Sequence, residues 1–487
     1  MSHIRSNRRG RSRAALGLLL LAATGVTACD FLDPTQVENP RTTADDLADA
    51  ENPTASLVPG LRAQLARLVS SAAVLTETVS DNFSIHGTGL SKSYDSPANL
   101  APPLLNTTSS ATGLYWNAQE LAALATFVIE DIAPDDETAS AEDIAEAHYH
   151  RGLAYLILGE NFAYAPVEED GAPLAADAIL DLAIADFGQA GTYGTATDAA
   201  LARAHRWKGD QGAASAAAQA VLAADADFLQ LQGYDAQTLV NQPWNFLVQR
   251  ALQEMQPLPR LDFLDPKYVD REQGIAVAKA EEMHLILAEI ALVNGDLPAA
   301  GNALRDAIDL AQSRPTTTFD DGDLRTNGDL SLRPRDAVIE VRADAASPYR
   351  TGLVLQRPGV VTQSVVSGSS LDADSVAALA TASEMWHAFH LARQEILFLE
   401  GRRMADLGIR LPMMLTEIDA NPNVANGDSG TMVVVPAYIP AGDDMDLYTP
   451  ALPYDGEDLG ATLLDTQITI LFDMNRILAD NTVSPFN

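Results

Sequence analysis

The chain has 487 residues, 31 basic and 67 acidic side chains, a formal net charge of −36 at pH 7 and a single cysteine, Cys29. A surface this acidic is repelled by nucleic-acid phosphates and anionic membranes, which argues against nucleic-acid binding, and one cysteine excludes an internal disulfide. With 47% hydrophobic and 20% charged residues, a buried core can hold the fold instead.

The N-terminus reads as an export segment. Arg5, Arg8, Arg9, Arg11 and Arg13 precede Ala14–Ala28, which is uncharged and rich in Leu and Ala. That stretch is shorter than the roughly 20 residues a membrane-spanning helix needs, so it reads as a removable secretory segment. Val26-Thr27-Ala28-Cys29 resembles the bacterial lipoprotein cleavage box. The resemblance implies that residues 1–28 are removed and that Cys29 carries the lipid. An ordinary signal peptide with a chance cysteine is the alternative. The mature chain then holds 26 basic against 67 acidic side chains, a balance that fits a solvated surface in saline water better than a cation site. Residues 29–44, with Pro34 and Pro40, read as a tether, and residues 45–487 as one domain. No later stretch is long and apolar enough to cross a bilayer.

From Asp45 onward the pattern is mainly α. Residues 117–132 place Leu121, Leu124, Ala125, Val128 and Ile132 on one stripe. Helices are expected over 142–159 and 172–189. A helical hairpin over 200–228 turns at Gly209-Asp210, and a second over 280–310 turns at Asn294-Gly295-Asp296. In each, the glycine ends one helix in the left-handed conformation and the aspartate caps the next. These Gly-Asp-x-x-Ala-Ala pairs look like tetratricopeptide repeats, although the 86-residue spacing from Asp210 to Asp296 excludes plain tandem repeats. A last long helix is expected over 383–407. Segments 81–113, 229–270, 312–372 and 409–460 read as long irregular insertions, with short strands such as Val338–Val341 and Met432–Val435.

Ligand-binding candidates are sought in these insertions. Sugar recognition needs an aromatic face together with amide or carboxylate groups, and aromatics make up only 6% of the chain. The stretch Asn241-Gln242-Pro243-Trp244-Asn245-Phe246 is the most site-like, with Trp244 and Asn245 as candidates and a core-capping role for Trp244 as the alternative. Asp81, Asn82, Phe83, His86 and Tyr94 form a second group. Trp116, Trp207 and Trp386 lie in helical patterns and are assigned to packing. His387 and His390 share a helix face but lack the further ligands of a zinc site, and turn chemistry accounts for the Asp-rich loops at 320–323 and 443–446. No metal, cofactor or catalytic residue is assigned. Neither a nucleophile elbow nor a phosphate loop occurs in a suitable context; a glycosidase carboxylate pair is a distant alternative.

The order of these blocks resembles the SusD/RagB family of outer-membrane nutrient-binding lipoproteins. The resemblance is carried by Cys29-Asp30-Phe31-Leu32-Asp33, by Tyr115-Trp116 leading into Val128–Ile132, by the segment 141–167 and by the hairpin at 280–310. Its most specific part is Arg-Gln-Glu-Ile-Leu-Phe-Leu-Glu-Gly-Arg-Arg-Met-Ala-Asp-Leu-Gly-Ile-Arg at 393–410. The C-terminal stretch keeps only traces of the family's tail. On a helix Glu400 would reach Arg403, and Asp406 would reach Arg402 or Arg403, so Glu400, Gly401, Arg403 and Asp406 are read as architecture. The resemblance implies a helical-repeat scaffold with ligand-binding insertions and no enzymatic activity. It also implies a lipid-anchored position on the cell surface. There the protein would capture an oligosaccharide or peptide as the lid of a SusC-like TonB-dependent transporter. A helical-repeat scaffold of the envelope that binds no small ligand is the alternative.

Overall fold

A computed structural model describes residues 51–85, 90–105, 109–235, 237–249, 255–324, 339–342, 348, 359–440, 445, 466–469 and 472–487. The export segment, Cys29 and the tether lie outside the described residues, as do His86 and most of the 443–446 loop. Residues Thr54–Asn487 form one compact unit. Among the described residues no helix is long and apolar enough to cross a membrane.

The long helices are α1 (Pro53–Val79), α2 (Ser109–Thr126), α3 (Ala141–Asn161), α4 (Ala176–Gln189), α5 (Thr195–Trp207), α6 (Gln211–Ala224), α7 (Ala280–Val293), α8 (Leu297–Ser313) and α9 (Ala382–Ile396), with the shorter α10 (Met474–Asp480) near the C-terminus. Three antiparallel hairpins, α3–α4, α5–α6 and α7–α8, stack side by side, with α4 against α5 and α6 against α7. The two expected hairpin turns have the same geometry. Gly209 has φ +70° and Gly295 φ +74°. Asp210 N–H donates to the His205 carbonyl at 3.0 Å, and Asp296 N–H to that of Ala291 at 2.8 Å. Asp210 and Asp296 each accept a capping bond at 3.0 Å, from Ala213 N–H and Ala299 N–H. Small residues set the spacing between helices: a Cβ on Gly152 would stand 2.5 Å from the Phe187 ring, so α3 and α4 approach closely there.

Several boundaries differ from the sequence reading. Residues 172–175 do not begin α4; Leu174–Ala175 pairs antiparallel with Tyr164–Ala165. The stripe over 117–132 is helical, but its last turn, Phe127–Ile132, widens to π geometry. Two-stranded sheets account for part of the insertions: Phe83–Ile85 pairs with Met255–Pro257, Leu229–Gln232 with Ile275–Lys279, Thr316–Asp320 with Val360–Ser364, and Ile339–Arg342 in parallel with Thr466–Thr469. The strand expected over Met432–Val435 does not form; Met432 lies in a bend, and only Val434 makes an isolated bridge, to Arg410.

The expected helix over 383–407 is broken. After Ile396 the chain passes through Leu399 and Gly401, at φ +56° and +79°, and only Arg403–Asp406 is again helical. The break corrects the expected i,i+3 and i,i+4 pairings. Glu400 instead accepts from Lys267 at 2.5 Å and Lys279 at 2.6 Å. Arg402 pairs with Glu282 at 3.1 Å, Arg403 with Asp81 at 2.6 Å, and Asp406 with Arg393 at 2.7 Å and Arg206 at 3.2 Å. Arg206 continues to Glu289 at 2.5 Å, and Arg203 forms a two-pronged pair with Glu160. All of these side chains are buried. The motif is therefore architectural in a different way from a surface helix: it ties α1, α5, α7 and α9 together through a charged interior.

Candidate functional site

On one face of α1, Ala66, Ser70, Ser71 and Val74 recur at helical spacing. Opposite them stands Gly113 of α2, where an added Cβ would lie 3.1 Å from Ser71 Cβ. The segment Tyr234–Gln242 crosses the same face. Together they enclose a cleft of about 280 Å³. Its polar lining is Arg67, Ser70, Ser71, Asn117, Tyr234, Thr238 and Gln242, and its apolar lining includes Val74, Leu239 and Val240. The Tyr234 hydroxyl donates to the Ala66 carbonyl at 3.0 Å. Burial pushes that hydroxyl's pKa well up, so it stays a donor. Gln242 N–H donates to Ser70 Oγ at 2.8 Å, closing the cleft from the third side.

Gln64, only 5% exposed, organises the rim. Its Nε2 donates to Asn117 Oδ1 at 3.1 Å and Glu120 Oε2 at 2.9 Å. Its Oε1 accepts from Arg67 at 3.0 Å, and Asn117 Nδ2 reaches on to Ser71 Oγ at 3.2 Å. The other Glu120 oxygen accepts from Trp116 Nε1 at 2.5 Å. Trp116 is 53% exposed, which corrects its assignment to packing. Its ring stands in solvent with the indole N–H tethered, as an aromatic face for a ligand requires.

The sequence candidates Asn82, Phe83, Tyr94, Trp244 and Asn245 do not assemble here. Phe83 is fully buried, stacked 5.7 Å from Phe398 and edge-on to Phe246 at 5.0 Å. Pairing of Phe83–Ile85 with Met255–Pro257 removes the loop in which it was placed. Asn82 is also buried, donating to Glu77 and accepting from Gln394 at 2.6 Å. Tyr94 is buried in a 3₁₀ turn. Trp244 and Asn245 lie on a short helix, Gln242–Gln249, rather than in an irregular segment. Both are half-buried, and the Arg271 guanidinium covers the Trp244 ring at 4.7 Å. Only Gln242 of that stretch lines the cleft. Trp386 is buried, and Trp207 is held between Arg206 and Arg410 at 4.7 and 4.8 Å, as packing residues.

The histidine pair separates in role. His387 donates from Nε2 to Asp473 at 2.8 Å and accepts at Nδ1 from Arg476 at 2.9 Å. His390 is buried and stacked on Trp386 at 5.8 Å. Among the described residues no three His, Cys, Asp or Glu side chains cluster as a metal site.

Among solved structures the chain is similar to a SusD superfamily protein of Bacteroides fragilis, at 13% identity over 76% of this chain and 98% of that chain, with a TM-score of 0.50. This is a SusD-like fold. A second SusD superfamily protein, from Bacteroides fragilis NCTC 9343, is 13% identical over 78% of this chain and 93% of its own, with a TM-score of 0.48. A SusD-like carbohydrate-binding protein of Bacteroides vulgatus ATCC 8482 is 13% identical over 73% of this chain and 82% of its own, with a TM-score of 0.45. No family model and no curated protein matches the sequence. Within the SusD-like fold the cleft lies where α1, α2 and the insertion after α6 meet, outside the charged interior built by the 393–410 motif.

Proposed function

We propose that this protein binds an oligosaccharide or peptide nutrient at the cleft between α1, α2 and Tyr234–Gln242, without catalysing a reaction. The observation that carries the reading is Trp116, an exposed ring on a hydrogen-bonded rim beside a polar recess. An aromatic face takes the apolar side of a sugar ring while amide and hydroxyl groups bind its hydroxyls. The SusD-like fold and the lipoprotein-like box ending at Cys29 extend the proposal. The chain is anchored by lipid at the outer membrane, exposed on the cell surface, and acts as the lid of a SusC-like TonB-dependent transporter to which it delivers its ligand.

Two experiments test this. The purified chain and its Trp116→Ala variant are titrated with a panel of neutral and acidic oligosaccharides and peptides. Binding that weakens at least tenfold in the variant supports the site; no binding by either protein overturns the nutrient-binding reading. Affinity capture from gently solubilised native membranes is expected to bring down a TonB-dependent receptor in near-equal amount. Recovery of the chain alone would instead favour a scaffold role.

A further inference from the structure

We infer that the cleft selects an acidic saccharide, with a sugar ring on Trp116 and a carboxylate paired to Arg67, both groups positioned by Gln64. This rests on the proposed binding role and names the ligand class for the same site.

The first observation is the charge of the lining. The chain has 67 acidic and 31 basic side chains, yet the described residues lining the cleft include Arg67 and no carboxylate. The two acids beside it are already engaged. Both oxygens of Glu120 accept bonds, from Trp116 and from Gln64. Asp235 closes its own turn, accepting from Gln237 N–H at 2.7 Å and from the Thr238 backbone and hydroxyl at 2.5 Å. Both carboxylates keep their negative charge, but neither lines the cleft, and among the described residues the charged side chain that does is Arg67.

The second observation is the state of Arg67. It is exposed, and its one hydrogen bond among the described residues uses NH1 towards Gln64. Among the described residues no other acceptor holds the rest of the guanidinium fork, which matches the two oxygens of a carboxylate. Gln64 holds Arg67 through Oε1 and Trp116 through Glu120. The ring and the cation are thus set on one rim before ligand arrives, which lowers the ordering cost of binding. The net charge of the remainder does not cancel this, because interactions beyond about 8 Å are largely screened at physiological salt.

The test uses isothermal titration of the full chain with galacturonate, glucuronate and mannuronate tetramers and with their carboxyl-reduced counterparts, which keep the ring and lose the charge. At least one acidic tetramer is expected to bind tenfold or more tightly than its reduced form. Arg67→Gln is expected to bring binding of the acidic tetramer down to that of its reduced form measured on the same variant, and Arg67→Lys to restore the preference only in part. Arg67 is exposed, so an unchanged thermal midpoint verifies folding of both variants. The inference is overturned if reduced tetramers bind as well as acidic ones, or if Arg67→Gln leaves the preference intact. Trp116-dependent binding of neutral sugars alone would sink the acidic class and leave the binding role standing. Failure of every saccharide and peptide would sink both.

Discussion

Arg403 and Asp81, 322 positions apart, form a two-pronged ion pair at 2.6 and 2.7 Å inside the protein. Burial works against the Arg403 charge, but the Asp81 carboxylate outweighs it, and the arginine's pKa is raised. The remaining polar atoms are also engaged. Arg403 NH1 reaches Asn475 of α10 at 3.1 Å, Gln394 of α9 donates to Asp81 at 3.0 Å, and Asn475 donates to Gln394 at 2.8 Å. The pair therefore joins the end of α1, α9, the broken motif and α10 at one point.

Breaking this pair from one side is expected to be costly. Arg403→Ala leaves the Asp81 carboxylate buried and unpaired, a change that typically costs about 3–5 kcal/mol. Replacing both partners, as Asp81→Asn with Arg403→Met, removes the stranded charge and is expected to cost less than the arginine substitution alone. Urea unfolding of the two variants checks the order. An arginine variant that unfolds at the wild-type midpoint would show that the interior is open to water.

Glu77 supplies a pH signature. Burial raises its pKa from 4.5 to about 8, against the opposing bonds from Asn82 and the Leu399 backbone. The folded state thus holds a proton that the unfolded state releases near pH 4.5. The stabilisation is full below that pH and is lost as pH rises through about 8. Lys267 has the opposite sign: burial lowers its pKa from 10.5 to about 8, so stability is regained between pH 8 and 10.5. His390, held well below 6.5 by burial, offsets part of the Glu77 slope at the acid end. The comparison with Glu77→Gln isolates the carboxyl. Between pH 6.5 and 8 the wild type is expected to lose stability relative to the variant, by at most about 1.4 kcal/mol per pH unit, the slope for one proton. Parallel curves in denaturant titrations over this range would mean that Glu77 is ionised in the fold.

The hairpin caps make a local prediction. Asp210→Ala and Asp296→Ala each remove one side-chain bond to a helix N-terminus and are expected to cost about 1 kcal/mol apiece. The two turns touch, with Asn294 Nδ2 donating to Gln211 Oε1 at 3.0 Å, so the double variant is expected to depart from the sum of the single losses. Chemical denaturation of the single and double variants measures this directly.

These caps also mark what the sequence makes legible. Gly209-Asp210 and Gly295-Asp296 specify their turns through bonds to residues a few positions away, so the hairpins could be read from local spacing. The partners of Glu400, Arg403 and Asp406 could not, because Lys267, Lys279, Asp81 and Arg206 are brought close only by tertiary folding. Leu399 and Gly401 carried a partial signal, since a glycine after Glu400 permits the break that a helical reading passes over. Phe83 was misplaced because its strand partner, Met255–Pro257, lies far along the chain. Trp116 was assigned to packing from its place in a helical pattern. Yet Gly113, Asn117 and Glu120 around it contained the clue: small and polar residues on that face leave the ring nothing to bury against.

Gln64 gives the sharpest test of how the rim works, because it touches no ligand in the proposed site and acts through its neighbours. Gln64→Leu keeps the side chain's bulk while removing the donor to Asn117 and Glu120 and the acceptor for Arg67. Gln64→Glu keeps the acceptor but sets a carboxylate against Glu120. Both variants are expected to bind the best saccharide of the panel about tenfold more weakly, the lower end of what loss of charge-assisted hydrogen bonds brings. A purely structural role would lower stability without altering the ring. Trp116 is the most exposed of the four tryptophans, so acrylamide quenching reports mainly on it. Released from its relay, the ring should quench faster in both variants, and the binding loss should track that change rather than the thermal midpoint. Weaker binding with unchanged quenching would place the effect of Gln64 elsewhere than in the orientation of Trp116.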